Sequence, residues 1–143
     1  MRAATTPPDT RDPAALLAAL QGRWRVRRTV RHDGGARARF DGEATWDGER
    51  CLEEGVLRIG TAAMPARRLT LWAAGPRGLA VAFADGRPFH AVGAEAVHDC
   101  PPDRYRLGYR FEGWPRWSCR WRVDGPRKGY SAVTRYRRDG GDA

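Results

Sequence analysis

Two histidines and a cysteine near the middle of the chain carry the side-chain chemistry that a small protein most readily uses: His90, His98 and Cys100. Histidine exchanges a proton near neutral pH, so His90 or His98 could serve as a general acid or base. Imidazole and thiolate also bind zinc or iron, but His-x-Cys is not a closed ligand set, and a further ligand would have to come from Glu53 or Asp103. We therefore predict no metal site, and the sequence names no cofactor.

The position of His90 depends on the turn that precedes it, in the segment LAVAFADGRPFHAV. A two-residue turn at Asp85-Gly86 would pair Val81 with His90, and a four-residue loop would pair Phe83 with it. Both arrangements place His90 on the face with the larger apolar side chains, and Phe89 on the opposite, alanine-rich face. We expect His90 to point toward the interior.

One helix is predicted before these strands, over residues 12–20, with the sequence DPAALLAAL. Asp12 is a suitable N-cap, Pro13 suits the first helical position, and Gly22 follows the end. The leucines give the helix one apolar face, which it would bury against the rest of the domain.

From Trp24 onward, apolar residues recur at every second position, as in RWRVRRTV, RARFDGEATW, YRLGYRF and WSCRWRV. This period indicates strands with one buried and one exposed face. Turns rich in Gly, Pro and Asp separate eight to ten such strands, which favours an all-β, up-and-down antiparallel β-barrel closed at one end by the helix. We predict a flexible tail over 1–11, one barrel domain over 12–138, and a C-terminal tail over 139–143. A barrel of about eight strands can hold one small ligand.

Length and composition narrow the class of protein. A chain of 143 residues with 41% hydrophobic residues suits one soluble domain. No apolar run approaches the roughly 20 residues of a membrane helix, and the N-terminus does not resemble a secretory signal. The three cysteines are an odd number without a Cys-x-x-Cys motif, which indicates free thiols in a reducing compartment. We expect a cytoplasmic protein that does not bind membranes.

The formal net charge of +9 raises nucleic acid as a partner. Arginines alternate over 104–110 and 116–122, but the aromatic residues of these segments fall on the opposite face, so a solvated outer wall is the simpler interpretation. The segment DGPRKGY, over 124–130, indicates a tight turn, or an anion site in which Arg127 and Lys128 take part.

An apolar barrel that contains a few convergent polar groups is the usual form of a ligand site. We predict a small-molecule-binding protein whose ligand is a partly apolar, anionic metabolite. An enzyme without a cofactor, such as an isomerase, cyclase or lyase, is the alternative, with His90 or His98 as acid or base. A basic module that binds nucleic acid or protein is a further alternative. The candidate ligand-binding residues are Trp24, Arg28, Arg68, Trp72, Phe83, Asp85, His90, His98, Cys100, Tyr105, Tyr109, Trp121, Arg127 and Lys128.

Three motifs, FADGRPFH, HDCPPDRY and VDGPRKGYSAVTRY, resemble the bacterial family catalogued as domain of unknown function 6314, over about residues 15–138. The resemblance implies a single small domain and transfers no activity. Its signature positions enter as further site candidates. They are Asp85, Gly86, Phe89, His90, His98, Cys100, Asp103, Tyr105, Gly125, Pro126, Arg127 and Lys128.

The chain also resembles the calycin superfamily, which includes lipocalins and fatty-acid-binding proteins. In those proteins a short helix precedes a Gly-x-Trp on the first strand, and an arginine from the last strand packs over the tryptophan. Gly22, Trp24 and either Arg135 or Arg137 match these positions. Secreted calycins carry a signal sequence and disulfides, which are not found here, so the resemblance does not imply an exported carrier.

Overall fold

One short helix and ten strands form the computed structural model, which describes residues 6–127 and 129–138. The predicted C-terminal tail, 139–143, and residues 1–5 of the predicted N-terminal tail lie outside the described residues, and the domain boundaries stay predictions. In chain order the elements are α1 (Pro13–Leu20), β1 (Gly22–His32), β2 (Arg37–Asp47), β3 (Arg50–Ile59), β4 (Ala62–Gly75), β5 (Gly78–Phe83), β6 (Pro88–Ala91), β7 (Ala96–Cys100), β8 (Asp103–Arg110), β9 (Trp117–Asp124) and β10 (Gly129–Arg137).

Helix α1 begins and ends as the sequence predicts. The side chain of Asp12 accepts a hydrogen bond from the backbone N–H of Ala15 at 3.1 Å, and Pro13 occupies the first turn. Leu16 and Leu20 are buried against the barrel. In the described part of the chain, no helix has the length and apolar character needed to cross a membrane.

All ten strands belong to one antiparallel sheet, in the order β6-β5-β4-β3-β2-β1-β10-β9-β8-β7. Strands that follow each other in sequence pair with each other, except β6 and β7, between which the sheet is open. The first and last strands, β1 and β10, also pair. The backbone N–H of Val92 bonds to Leu79 of β5, and the carbonyl of Gly93 accepts from Tyr109 of β8, both at 2.8 Å. The segment after β6 therefore bridges the two sides of the opening. The predicted up-and-down barrel is confirmed as nearly closed.

Two inward-facing glycines oppose each other in the wall, Gly42 on β2 and Gly55 on β3. A Cβ on Gly42 would lie 2.7 Å from the Cα of Gly55 and would clash with the carbonyl group of Glu54. The backbones approach too closely here for any side chain, so glycine is required at both positions.

Tryptophans fill the half of the barrel next to α1. Five of the six are buried, among them Trp24, which is fully buried and donates its indole N–H to the carbonyl of Leu20 at 2.8 Å. Trp117 stacks on Tyr136 with ring centroids 3.8 Å apart. Edge-to-face pairs join Trp24 to Trp114 and Trp46 to Trp72. This half of the interior holds a buried aromatic core.

The arginine that packs over Trp24 is Arg138, and the expectation of Arg135 or Arg137 is wrong. The Cζ atom of Arg138 lies 4.0 Å from the centroid of the Trp24 ring. Its guanidinium donates to the carbonyl of Ala19 at 3.1 Å and also to that of Gln21, at the end of α1. Arg135 and Arg137 are exposed, because β10 turns them to the outer wall, whereas Arg138 follows the last residue of the strand.

The expected orientation of Phe89 is also wrong. Strand β5 ends at Phe83 and β6 begins at Pro88. Val81 pairs with His90 as expected, but the neighbouring Ala82 pairs with Pro88, so the register shifts by one residue. This bulge turns two consecutive side chains inward, and Phe89 and His90 are both buried, at 4% and 8% exposure.

Candidate functional site

The half of the barrel away from α1 has an inner wall that solvent reaches. Several side chains there follow the inward alternation of their strands and are nevertheless only half-buried. The opposite half contains almost only buried inward side chains. We call the half away from α1 the open half. Its half-buried inner residues include Leu57, Ala66, Arg68, Phe83, Tyr105 and Trp121.

A buried carboxylate joins three strands in the open half. Glu53 of β3 is 5% exposed and accepts two hydrogen bonds from Arg28 of β1, at 3.0 and 2.8 Å. The Nε of Arg28 donates to the hydroxyl of Thr134 on β10 at 2.8 Å. Arg68 of β4 approaches the same carboxylate at 3.4 Å. Because these residues occupy inward positions of paired strands, the sheet register itself brings the charges together.

All three groups are charged at neutral pH. Burial by itself would raise the pKa of Glu53, but the charges of Arg28 and Arg68 outweigh it and lower this pKa below its usual value. Burial acts against the charge of Arg28, yet Glu53 raises the pKa of Arg28 above its usual value. Two guanidiniums share one carboxylate, so the cluster carries one positive charge in excess.

Arg68 supplies that excess charge. Its contact with Glu53 is long, since the carboxylate already makes two shorter bonds to Arg28. Its Nε is buried and has no hydrogen-bond partner in the described part of the chain. The side chain is 39% exposed, and its Cζ lies 5.5 Å from the ring centroid of Trp121. Arg68 therefore has donors available for a further acceptor.

Phe89 is the centre of an aromatic cluster beside Arg68. Its ring stacks on Phe83 with centroids 4.5 Å apart. It meets four other rings at steep angles, with centroids between 4.5 and 6.2 Å away. These rings belong to His90, His98, Tyr105 and Trp121.

His90 is neutral at physiological pH. Burial lowers its pKa from 6.5 to about 4, and the nearby charge of Arg68 acts in the same direction. Its Nδ1 lies 3.3 Å from the carbonyl of Ala91, which opposes the shift. A neutral imidazole can donate one hydrogen bond and accept another.

The interior thiols are protonated and poorly nucleophilic. Burial raises the pKa of Cys119 to about 11, and that of Cys51 to about 12. The indole N–H of Trp121 lies 2.9 Å from the sulfur of Cys119, which orients this ring toward the open half. Both cysteines have packing roles.

Most candidate residues from the sequence converge in this region. Tyr109 joins it through a stacked contact with His90, at 5.8 Å between ring centroids. The candidates that the fold brings together are Arg28, Arg68, Phe83, His90, His98, Tyr105, Tyr109 and Trp121.

The remaining candidates lie elsewhere. Trp24 and Trp72 belong to the aromatic core beneath α1, away from the open half. Asp85 is exposed in the β5–β6 turn, where its carboxylate accepts from Arg87. Cys100 and Arg127 are exposed, and Lys128 lies outside the described residues. Within residues 6–127 and 129–138, no three His, Cys, Asp or Glu side chains are grouped so as to hold a metal ion.

Glu53 and Thr134 are absent from the predicted ligand-binding residues, and the sequence analysis considers Glu53 only as a possible metal ligand. Alternation in CLEEGVL already places Glu53 on the face of Cys51 and Leu57. Its significance becomes visible only when the register sets it near Arg28, an inward-facing residue of opposite charge. Thr134 carries no signal in the sequence beyond its inward position.

Comparisons with known proteins place the chain in a family. No curated protein matches it. Among solved structures, the chain is similar to the S-type phycobiliprotein lyase CPES from Guillardia theta. The match covers 86% of this chain and 90% of the other, with a TM-score of 0.46 and 9% identity. The family of unknown function DUF6314 matches residues 20–138, most of the described barrel. The chain therefore belongs to the DUF6314 family.

Proposed function

We propose that this protein binds a small, partly apolar molecule through one anionic group, in the open half of its barrel. The observation that carries the proposal is the excess positive charge at Arg68. The Arg68 side chain is 39% exposed and its bond to Glu53 is long, so the exposed part of the guanidinium can donate to an anionic ligand. Arg28 is less suited as an anchor, because each of its three guanidinium nitrogens already donates to Glu53 or Thr134.

The apolar part of the ligand would lie against the aromatic cluster. Trp121 presents its face to Arg68, and Phe83 and Tyr105 are half-buried inner residues beside it. Aromatic walls next to a charged anchor suit a ligand with a flat or hydrocarbon body and a carboxylate or sulfonate end. His90 would contribute a neutral hydrogen-bonding group to the same site.

The low pKa of His90 supports binding over catalysis at this residue. A general base works best when its pKa is near the working pH, whereas a histidine with a pKa of about 4 is a weak base at pH 7. His98 is half-buried, and its ring centroid lies 6.2 Å from that of Phe89. For the alternative of an enzyme, His98 is therefore the remaining candidate acid or base.

Two fluorescent probes with nearly the same rings can test the proposal. The first, 8-anilinonaphthalene-1-sulfonate, carries a charge, and the second, N-phenyl-1-naphthylamine, does not. We expect the charged probe to bind, and Arg68→Met to weaken it by about tenfold, since a charge-assisted hydrogen bond is lost. Binding of the neutral probe should change by less than about twofold in the same variant.

Arg67→Met is the matched control, because Arg67 is the exposed neighbour on the outer face of β4. It should leave the affinity for both probes unchanged. Equal weakening of the charged probe by the two substitutions would mean that surface charge is sufficient, and the proposal would then be wrong. Absence of binding by either probe would also count against it.

A further inference from the structure

A second concave surface lies on the outer wall, across the sheet from the interior site. It is an open groove of about 590 Å³ between the outer faces of β1, β10 and β9 and the segment that joins β8 to β9. Six of its lining residues are arginines, all of them exposed. We call it the arginine groove. Its arginines are Arg25, Arg27, Arg110, Arg116, Arg135 and Arg137.

The sheet register sets arginines directly opposite one another in this groove. Arg25 pairs with Arg137, and Arg27 pairs with Arg135, across the β1–β10 ladder. Like charges at directly opposed positions of an antiparallel pair are destabilising. Two such pairs side by side concentrate positive charge on this part of the outer wall.

Carboxylates in the groove neutralise only part of this charge. Asp41 bonds to Arg27 but is shared with Arg39 and Arg58, which lie outside the groove. Glu112 is the other acidic residue of the lining, and Glu43 opposes Arg25 in the β1–β2 register.

Three arginines of the groove remain without a salt bridge or a side-chain hydrogen bond within the described part of the chain. They are Arg110, Arg116 and Arg135. Ser118 lies between two of them, since it pairs with Arg135 on one side and with Arg110 on the other. A row of guanidinium, hydroxyl and guanidinium therefore crosses three adjacent strands.

Neighbouring strands are about 4.8 Å apart, and alternate residues on one strand about 6.8 Å apart. Guanidinium forks at these spacings can reach several adjacent anionic groups, and arginine matches the bidentate geometry of phosphate. No aromatic face is available for a base in the described lining, because Trp117 and Tyr136 are buried against each other in the wall. The volume is that of a small-molecule site.

We infer that the arginine groove binds a small oligophosphate, a ligand with two or more adjacent phosphate groups, through Arg135, Arg110 and the hydroxyl of Ser118. The groove would contact only the phosphate groups and offers no contact that would select a nucleobase. This site is independent of the interior one, because its side chains occupy the opposite face of the same strands.

Titration calorimetry with inorganic tripolyphosphate and with orthophosphate tests this inference at constant ionic strength. We expect tripolyphosphate to bind at least tenfold more tightly than orthophosphate. Arg135→Met should weaken tripolyphosphate binding by at least tenfold, and Arg110→Met should do the same. Both side chains are exposed, so circular dichroism should show folded variants.

Arg67→Met is again the matched control, because it removes one exposed arginine from outside the groove. It should leave the affinity for tripolyphosphate unchanged. If Arg67→Met and Arg135→Met weakened tripolyphosphate binding equally, the net charge of the protein would explain the effect, and the inference would be overturned. A single-stranded oligonucleotide that binds more tightly per phosphate than tripolyphosphate, and depends on Arg135, would also overturn it by assigning the groove to nucleic acid.

Discussion

The buried charges of Arg28 and Glu53 are stable because each of them has a specific partner. Arg28 and Glu53 form a bidentate pair, and Thr134 takes the remaining Nε donor of the arginine. Removing one partner from such a pair leaves a buried charge without compensation, which is far more costly than the pair itself. Arg68 is the exception in this network, and its incomplete pairing is the reason that it is the candidate anchor for a ligand.

His90 gives a prediction about pH. Its pKa is about 4 in the folded protein and 6.5 in the unfolded chain, so the unfolded state binds the proton first as the pH falls. The contribution to stability is complete above pH 6.5 and is lost between 6.5 and about 4. We expect the free energy of unfolding of the wild type to decrease by about 3 kcal/mol more than that of His90→Gln over this interval.

Urea unfolding at a series of pH values measures this difference. Carboxylates such as Glu53 titrate in both proteins, so their effects cancel in the comparison. Parallel profiles for the wild type and His90→Gln would show that the buried imidazole is not held neutral.

At the scale of the elements, irregularities in the strands position the site. The bulge between β5 and β6 turns both Phe89 and His90 inward, where a regular ladder would have exposed one of them. Phe89 then becomes the ring against which the other aromatic residues pack. A regular hairpin of the same sequence would lack this cluster.

The close contact between β2 and β3 at Gly42 and Gly55 gives a prediction about stability. Gly42→Ala would place a methyl group 2.9 Å from the carbonyl carbon of Glu54 and against the facing backbone of Gly55. Because backbone atoms would have to move, we expect a loss of about 2–3 kcal/mol in the free energy of unfolding, measured in urea. Gly34→Ala is the control, since its new methyl group would meet no atom within 4 Å. Equal stabilities for the two variants would contradict a tight contact.

At the scale of the whole molecule, the barrel divides into a filled half and an open half. The tryptophans and α1 complete a hydrophobic core at one end, which leaves the other end free to carry polar residues. Arg138 links the two ends of the described chain, because it follows the last strand and holds the C-terminal end of the helix.

Arg138→Met tests this link. The substitution removes the cation–π contact with Trp24 and the bonds to the carbonyls of Ala19 and Gln21. We expect the free energy of unfolding to fall by about 2 kcal/mol in urea titrations. Arg120→Met, at an exposed position of β9, should change it by less than about 0.5 kcal/mol. A similar small effect at Arg138 would mean that α1 is held by its leucines alone.

The fold class follows from local properties of the chain. An N-cap, a proline and three leucines are enough to specify α1, and a period of two with regular turns is enough to specify a meander of strands. Inward and outward faces follow from the same alternation, which is why the amino-acid sequence alone assigns Arg28, Arg68, His90 and Trp121 to the interior.

Contacts between distant strands decided the rest. The meeting of Arg28 with Glu53, 25 residues apart in sequence, depends on the register of three strands, which local periodicity leaves undetermined. The bulge that turns Phe89 inward is a register shift of one residue, and β10 ends one residue before Arg138. A shift of one residue is enough to move a side chain from one face of a strand to the other. The division into a filled and an open half arises only when all the inward side chains compete for one volume, and that competition is a property of the closed barrel.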